Sequence, residues 1–236
     1  MEDFSKKFTE IFTVCGLERF ADGETAEKFE KLTELLLEAN GKMNLTAIKD
    51  VDGIVLKHYA DCLLSERLIP RGARLLDVGC GGGFPTLPLA VVRPDLAITS
   101  LDATAKKLTF VATAAKELSL NVTTLAGRAE ELGQNAAYRE RFDAVTARAV
   151  AELRVLAEWC LPFARVGGIF LAMKGSAGRE ELKSAENAIA ALGGSVVKIE
   201  EHSLDGALRV NILTEKRAPT PKNYPRRNAQ ILKTPL

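Results

Sequence analysis

The chain has 236 residues, of which 47% are hydrophobic and 27% charged, and its formal net charge is +1. This balance is typical of globular domains and excludes a disordered or strongly polycationic chain. No stretch approaches the roughly 20 apolar residues of a membrane-spanning helix, and the acidic start, Met1-Glu2-Asp3, does not resemble a signal peptide. We therefore expect a cytoplasmic protein with no membrane partner.

The charge is unevenly distributed along the chain. Residues 1–40 hold ten acids and five bases, whereas residues 216–236 hold six bases and no acid, which predicts a basic C-terminal patch. The four cysteines are widely spaced and the chain has only two histidines, His58 and His202. This pattern predicts free thiols and no metal site.

The first part of the chain has helical periodicity. Apolar residues at helical spacing predict a helix over residues 25–39, with Gly41 as its C-terminal stop inside a turn over residues 40–44. A second helix is predicted over residues 50–68. The breaker segment 70–72, Pro-Arg-Gly, then marks a boundary.

Beyond the boundary, short apolar runs alternate with helices. Strands are predicted at 73–78, 97–102, 122–126, 143–148, 167–173, 195–202 and 207–214. Helices are predicted over 104–119 and 179–192, and Asp205-Gly206 predicts a terminal hairpin. We expect an α/β fold with a doubly wound, mostly parallel seven-stranded sheet. The expected domains are an N-terminal helical extension (1–70), the α/β domain (71–216) and a basic tail (217–236).

A glycine-rich loop follows the first strand of the sheet. Asp77, Gly79, Gly81 and Gly83 give the spacing Asp-x-Gly-x-Gly-x-Gly, between an apolar strand and a helix. Glycines there allow positive φ and a close approach of the backbone to a cofactor. A nicotinamide fingerprint fails because its third glycine would fall on Phe84 or Thr86, and no Walker Gly-Lys-Ser/Thr follows.

Two further segments complete a candidate cofactor site. Asp102 ends the second strand, where a carboxylate can accept both ribose hydroxyls. Neither Asp77 nor Asp102 suits a phosphate, so the site fits a cofactor without phosphate and with a cationic sulfonium: S-adenosylmethionine. Arg128, Ala129 and Glu130 follow the third strand and are expected beside the adenine; a helix start with solvated charges is the alternative.

These and other residues resemble those of a known family, the ribosomal small-subunit guanine-N7 methyltransferases called RsmG or GidB. The matching stretches are Asn44 to Ile48, His58 with Asp61, Leu76 to Pro85, Leu101-Asp102, Arg128 to Glu130, Thr146 to Val150, Lys174-Gly175 and Tyr224 to Arg226. The resemblance implies methyl transfer from S-adenosylmethionine to N7 of a guanine in 16S ribosomal RNA, leaving S-adenosylhomocysteine. It also implies that Phe84 belongs to the cofactor loop. Thr86 stands where a glycine is common in the family.

The candidate catalytic residues are basic and lie at or near predicted strand ends. We hypothesise that Arg148, Lys174 and Arg209 hold RNA phosphate or the guanine O6 edge, and that Arg148 also orients the cofactor. Ordinary surface charge is the alternative for each. The tail residues Lys222, Tyr224, Arg226, Arg227 and Lys233 either clamp RNA or form a solvated end. His58 is expected to be a packing residue.

The acceptor class follows in part from what the sequence lacks. There is no Pro-Pro for an amine-methylating motif and no Pro-Cys nucleophile for attack on a pyrimidine C5. Guanine N7 offers an exposed lone pair and needs neither a base nor a covalent nucleophile. The alternatives are another RNA base, a small molecule, a non-catalytic RNA-binding module and a nicotinamide oxidoreductase. We expect a monomer.

Overall fold

The computed structural model describes residues 2–236. The N-terminal part is helical, as expected. Helix α1 spans Glu2–Val14, α2 spans Gly23–Met43, and a continuous helical stretch contains α3 (Val51–Ile54), a π-helical turn (Val55–Ala60) and α4 (Asp61–Leu63). Short 3-10 turns follow α1 at Glu18–Phe20 and α4 at Glu66–Leu68.

The prediction that Gly41 ends α2 is wrong. Asp22 caps the start of the helix by accepting a hydrogen bond from the Thr25 amide at 3.0 Å, and the helix runs through Gly41 to Met43. The reversal occurs instead at Asn44, whose left-handed φ of +50° asparagine tolerates well. Asn40 holds the turn because its side chain both donates to and accepts from the Thr46 backbone, each at 2.9 Å.

The predicted strands are confirmed. They are β1 (Arg74–Val78), β2 (Ala97–Asp102), β3 (Val122–Ala126), β4 (Phe142–Arg148), β5 (Ala164–Lys174), β6 (Gly194–Leu204) and β7 (Ala207–Lys216). They form a seven-stranded sheet in the order β3-β2-β1-β4-β5-β7-β6, in which only β7 and its pairings are antiparallel. The hairpin turn places Asp205 and Gly206 at φ values of +52° and +70°, as a two-residue I′ turn requires.

Helices cover both faces of the sheet. They are α5 (Thr86–Val92), α6 (Ala105–Glu117), α7 (Ala129–Leu132), α8 (Leu153–Cys160), α9 (Gly178–Ala191) and α10 (Asn228–Lys233). Successive strand residues point to opposite faces. Leu75 therefore joins a core with α1, α2, α5 and α6, whereas Leu76 joins a second core with α8 and α9.

The N-terminal helices share the first of these cores with the sheet. Phe8, Phe12, Phe29 and Tyr59 are fully buried and their tilted rings pack against one another, and the Tyr59 ring lies 6.3 Å from that of Phe84 on the glycine loop. The packing thus joins the N-terminal helices to the glycine loop, and the expected domain division stays a prediction. Among residues 2–236, no helix is long and apolar enough to cross a bilayer.

The tail after β7 packs back onto the sheet domain. Arg139 reaches out to it, donating to the carbonyls of Thr220 and Tyr224, each at 2.7 Å. Helix α10 buries Ile231 completely. The structure therefore does not support a solvated end, although Lys222, Arg227 and Lys233 are exposed.

Candidate cofactor cavity and acceptor cleft

The candidate site lies at the carboxyl edge of the sheet, where the strand order reverses between β1 and β4. In open α/β sheets, ligands bind at this kind of switch point because the loops diverge there and leave a crevice. The loops after β1, β2 and β3 and the turn after β4 supply the residues that the sequence singled out. Two hollows open at this edge.

The first hollow, the cofactor cavity, has a volume of about 180 Å³ and lies beside the glycine loop. It is lined by Val78, Gly79, Leu101, Asp102, Ala103, Gly127, Arg128, Ala129, Glu130, Val150 and Trp159. Most of this lining is apolar or backbone, which suits the flat face of a nucleoside. Asp102 supplies a carboxylate at its edge, and the buried Nε1 of Trp159 has no hydrogen-bond partner in the described part of the chain. The residues present therefore fit S-adenosylmethionine.

Asp102 also fixes the glycine loop. Its Oδ2 accepts from the Gly81 amide at 3.0 Å, and its Oδ1 accepts from the Thr104 amide at 2.8 Å. Asp102 is only 9% exposed, and each carboxylate oxygen keeps a further lone pair. Asp102 thus joins the ends of the loops after β1 and β2 and remains able to accept from a ribose.

The predicted loop glycines have different structural reasons. Gly79 has a φ of +73°, and a Cβ there would lie 2.8 Å from the Val150 side chain, so glycine is required where the two loops meet. At Gly83 a Cβ would lie 2.6 Å from Leu87, so this glycine lets α5 pack against the loop. Gly81 and Gly83 do not line the cavity, and their assignment as cofactor ligands stays a prediction.

Asp77 lies beneath the cavity and does not line it. The carboxylate is fully buried and accepts from the hydroxyls of Thr86 at 2.7 Å and Thr146 at 3.3 Å, and Ser100 donates to Thr86 in turn at 2.9 Å. This chain of hydrogen bonds links β1, β2, β4 and α5 below the loop. Thr86, the departure from the family pattern, therefore has a defined partner.

The burial of Asp77 predicts an unusual dependence of stability on pH. Burial raises its pKa to about 6, against an ordinary value of 3.8, despite the two threonine hydroxyls. Between these values the folded state binds more protons than the unfolded state, so this contribution to stability is complete below pH 4 and is lost as the pH rises through 6. The loss amounts to about 3 kcal/mol, at roughly 1.4 kcal/mol for each pKa unit.

Asp77→Asn removes this titration and provides the test. In denaturant unfolding at several pH values, the free energy of unfolding of the wild type is expected to fall relative to that of the variant between pH 4 and 7. Asp143→Asn is the control, with a pH dependence of opposite sign. Because Arg165 lowers the pKa of Asp143, the wild type should lose stability relative to that variant only as the pH falls below 4. A constant difference between the wild type and Asp77→Asn would contradict the raised pKa.

The second hollow, the acceptor cleft, has a volume of about 470 Å³ and is bounded by β4, β5, β7 and the helical stretch at 51–63. It brings together the three predicted catalytic residues, Arg148, Lys174 and Arg209. Asp61 lies between the two arginines: its Oδ2 accepts from Arg148 Nη1 and its Oδ1 from Arg209 Nε, each at 2.7 Å.

Lys174 is paired on the other side of the cleft. Its ammonium group lies 2.7 Å from Glu181 and donates to the Ala151 carbonyl, also at 2.7 Å. The side chain is only 8% exposed, so Lys174 fixes the turn after β4 to α9. Sequence reasoning missed Glu181, because an acid on the exposed-looking face of a helix carries no signal of its own. Asp61, by contrast, could be found from the sequence because it matches the family pattern together with His58.

Arg148 also contacts the cofactor loop and the N-terminal helices. Its guanidinium carbon lies 5.6 Å from the centre of the Phe84 ring, and Phe84 stacks on His58 with ring centres 4.4 Å apart. His58 Nδ1 accepts from Arg148 Nη2 at 3.2 Å, because a guanidinium can only donate. The ring proton is therefore on His58 Nε2, which donates to Thr46 Oγ1 at 2.7 Å. Burial, and next the charge of Arg148, lower the pKa of His58 to about 4, so its ring is neutral.

Phe84 thus lies on the side of the acceptor cleft and not in the cofactor cavity, and its assignment as a cofactor residue stays a prediction. Ala129 and Glu130 line the cavity as expected. The turn between Arg148 and Val150 separates the two hollows: Ala149 lines the cleft, with a φ of +55°, and Val150 lines the cavity.

The fold and this edge define a class of protein, the S-adenosylmethionine-dependent methyltransferases with a seven-stranded sheet. Solved structures of that class are similar in fold. An O-methyltransferase from Bacillus cereus in complex with SAH has a TM-score of 0.53 and 21% identity, covering 78% of this chain and 90% of that chain. A putative O-methyltransferase from Klebsiella pneumoniae has a TM-score of 0.55 and 17% identity, covering 79% and 90%.

Sequence comparison is more specific. The family model of the rRNA small subunit methyltransferase G proteins (GidB) matches residues 25–208. Ribosomal RNA small subunit methyltransferase G of Deinococcus radiodurans is 46% identical over 215 residues, covering 89% of this chain and 85% of the relative. The protein of the same name from Lysinibacillus sphaericus is 44% identical over 239 residues, covering 98% of each. The chain belongs to this methyltransferase family.

Proposed function

We propose that this chain transfers a methyl group from S-adenosylmethionine to N7 of a specific guanine in 16S ribosomal RNA. The observation that carries the proposal is the pairing of ionisable groups in the acceptor cleft. Among the described residues that line it, Asp61 and Glu181 are held by Arg148, Arg209 and Lys174, and Lys57 lies 3.0 Å from Asp205. The carboxylates that line the cleft are therefore held by cations, and neither is free to act as a general base.

This arrangement fits an acceptor that attacks with a free lone pair. Guanine N7 carries no proton, so it needs orientation and not deprotonation. An exocyclic amine or a hydroxyl must lose a proton on methylation, and a general base usually assists that loss. The relatives' name, ribosomal RNA small subunit methyltransferase G, supports small-subunit ribosomal RNA as the substrate.

Each group has a proposed role. S-adenosylmethionine supplies an electrophilic methyl group on its sulfonium when bound. Asp102 accepts from the ribose hydroxyls, and the apolar walls of the cavity exclude water. Arg148 and Arg209, aligned by Asp61, donate to the guanine O6 edge or to RNA phosphate. Lys174 fixes the turn that separates the cavity from the cleft, through the Ala151 carbonyl.

The proposed partner is 16S RNA, free or within the small subunit, and the protein would act on it in the cytoplasm as a monomer. The test measures transfer of labelled methyl from S-adenosylmethionine to small subunits of a strain that lacks this enzyme, followed by mapping of the modified base. We expect 7-methylguanosine at a single position. Subunits from a strain with the enzyme serve as control and should accept no label, because their site is already methylated.

Label on another RNA base would contradict the assignment to N7. Absence of any label, on both naked RNA and intact subunits, would contradict ribosomal RNA as the acceptor and point to a small molecule or to RNA binding without transfer.

A further inference from the structure

Two walls of the cofactor cavity lie on helices and not on strands of the sheet. One is Trp159 on α8, and the other is the segment Arg128–Glu130 at the start of α7. Helix α7 has only four residues, which is too short to be stable by itself. Both walls pack on the second core of the sheet, and contacts from the tail hold them in addition.

The tail holds the first wall through a buried ion pair. Glu158, next to Trp159, is fully buried. Arg226 Nη2 lies 2.6 Å from Glu158 Oε2, its Nε lies 2.9 Å from Oε1, and its backbone amide also donates to Oε1 at 2.8 Å. A bidentate guanidinium with an additional hydrogen bond from a backbone amide fixes both the position and the plane of the carboxylate.

The same stretch of tail holds the second wall. Gln134 Nε2 donates to the Pro225 carbonyl at 2.9 Å, and the Pro225 ring packs so closely on Gly133 that a Cβ there would lie 3.0 Å from the ring. Arg139 donates to the carbonyls of Gly133 at 2.9 Å and Tyr224 at 2.7 Å. Residues 224–226 therefore connect the end of α7 to α8.

We propose that residues 224–226 form a brace that holds the two walls of the cofactor cavity together and so sets the affinity for the cofactor. Arg226 is then a positioning residue, acting through Glu158, and not part of an RNA clamp. Its guanidinium is paired with Glu158 through Nε and Nη2, whereas that of Arg227 is exposed and has no partner in the described structure. The inference rests on the proposed cofactor cavity and is independent of the proposed acceptor.

The chain provides its own probe, because Trp159 is its only tryptophan. The experiment compares Arg226→Ala with Arg227→Ala, without RNA. It measures the emission of Trp159 in the free protein and the dissociation constant of S-adenosylhomocysteine by calorimetry. We expect Arg226→Ala to shift the emission to longer wavelength and to weaken binding about tenfold, within the range of couplings between non-contacting sites. Arg227→Ala should resemble the wild type in both.

A second variant separates bracing from folding. Arg226→Ala leaves Glu158 as an unpaired buried charge, which destabilises a protein strongly. The double variant Arg226→Ala with Glu158→Gln removes that charge and still lacks the tether, so we expect a melting temperature closer to that of the wild type but the same loss of affinity.

Wild-type emission and a dissociation constant within about twofold of wild type in the double variant would overturn the brace. So would a loss of RNA binding by Arg226→Ala with cofactor binding intact. Failure of the wild type itself to bind S-adenosylhomocysteine would overturn the cofactor site, which is a different result.

Discussion

Replacing Arg148 with alanine is expected to lower kcat for methyl transfer by about 10²–10³, the effect of removing one oriented donor at a reacting centre. The dissociation constant for S-adenosylhomocysteine should change much less, because Arg148 lies on the cleft side of the turn and does not line the cofactor cavity. Steady-state transfer to saturating small subunits measures kcat, and calorimetry of the same protein measures the dissociation constant.

The position of Arg148 is determined by several contacts that a lysine ammonium cannot make together. Its guanidinium donates to Asp61 and to neutral His58 and lies over the Phe84 ring. A lysine ammonium keeps the charge but lacks the planar fork, so Arg148→Lys should recover only a small part of the rate. Recovery of the full rate by lysine would show that charge alone is needed.

Arg154→Ala is the matched control. Arg154 lies six residues further along the chain and pairs with Glu152 as Arg148 pairs with Asp61, but it does not line the cleft. We expect a wild-type rate. If Arg148→Ala also retained wild-type turnover, Arg148 would have no role in the reaction, and its ion pair with Asp61 would be a structural contact only.

The architecture of the sheet could be predicted because each strand is a short apolar run between breakers. The hairpin at Asp205-Gly206 is the clearest case, since both residues accept positive φ. The end of α2 could not be predicted from the same rules. Gly41 is a common stop signal, but the reversal depends on the Asn40 side chain reaching Thr46, a contact across a turn that no periodicity reveals.

Helix α1 was not predicted as an element, although its phenylalanines pack on α2 and on each other. The order of the tail was also missed. Its contacts come from Arg139 and Glu158, which lie about 70 to 90 residues earlier in the chain. A terminal segment rich in Pro, Lys and Arg is usually solvated. Nothing in its own sequence indicates that a buried carboxylate elsewhere in the chain pairs with one of its arginines.

The sequence predicted which loops form the candidate site, but not which of their residues line the cavity. The spacing of Asp77, Gly79, Gly81 and Gly83 located the switch point, yet only Gly79 of the four lines the cofactor cavity. Asp77 and Gly83 contact Thr86 and Leu87, within the protein. A sequence motif records every residue needed to build a loop, and it does not distinguish ligand contacts from the supports beneath them.

Asp102 is the residue for which the motif predicts direct contact, and its removal should have the largest effect on cofactor binding. Asp102→Ala is expected to weaken S-adenosylhomocysteine binding at least about 100-fold, because hydrogen bonds to a charged group contribute about 1.5–3 kcal/mol each and two ribose hydroxyls would lose their acceptor. The variant also releases the amides of Gly81 and Thr104, which loosens the loop.

Two further variants separate these contributions. Asp102→Asn keeps one acceptor oxygen, so a loss of about tenfold is expected, in line with one charge-assisted hydrogen bond. Asp22→Ala removes a carboxylate that also accepts a backbone amide, from Thr25, but that lies at the start of α2 and does not line the cavity. It should cost about 1 kcal/mol of stability, as the loss of a helix cap does, and leave the affinity unchanged. A dissociation constant for Asp102→Ala within twofold of the wild-type value would show that Asp102 serves the loop and not the ribose.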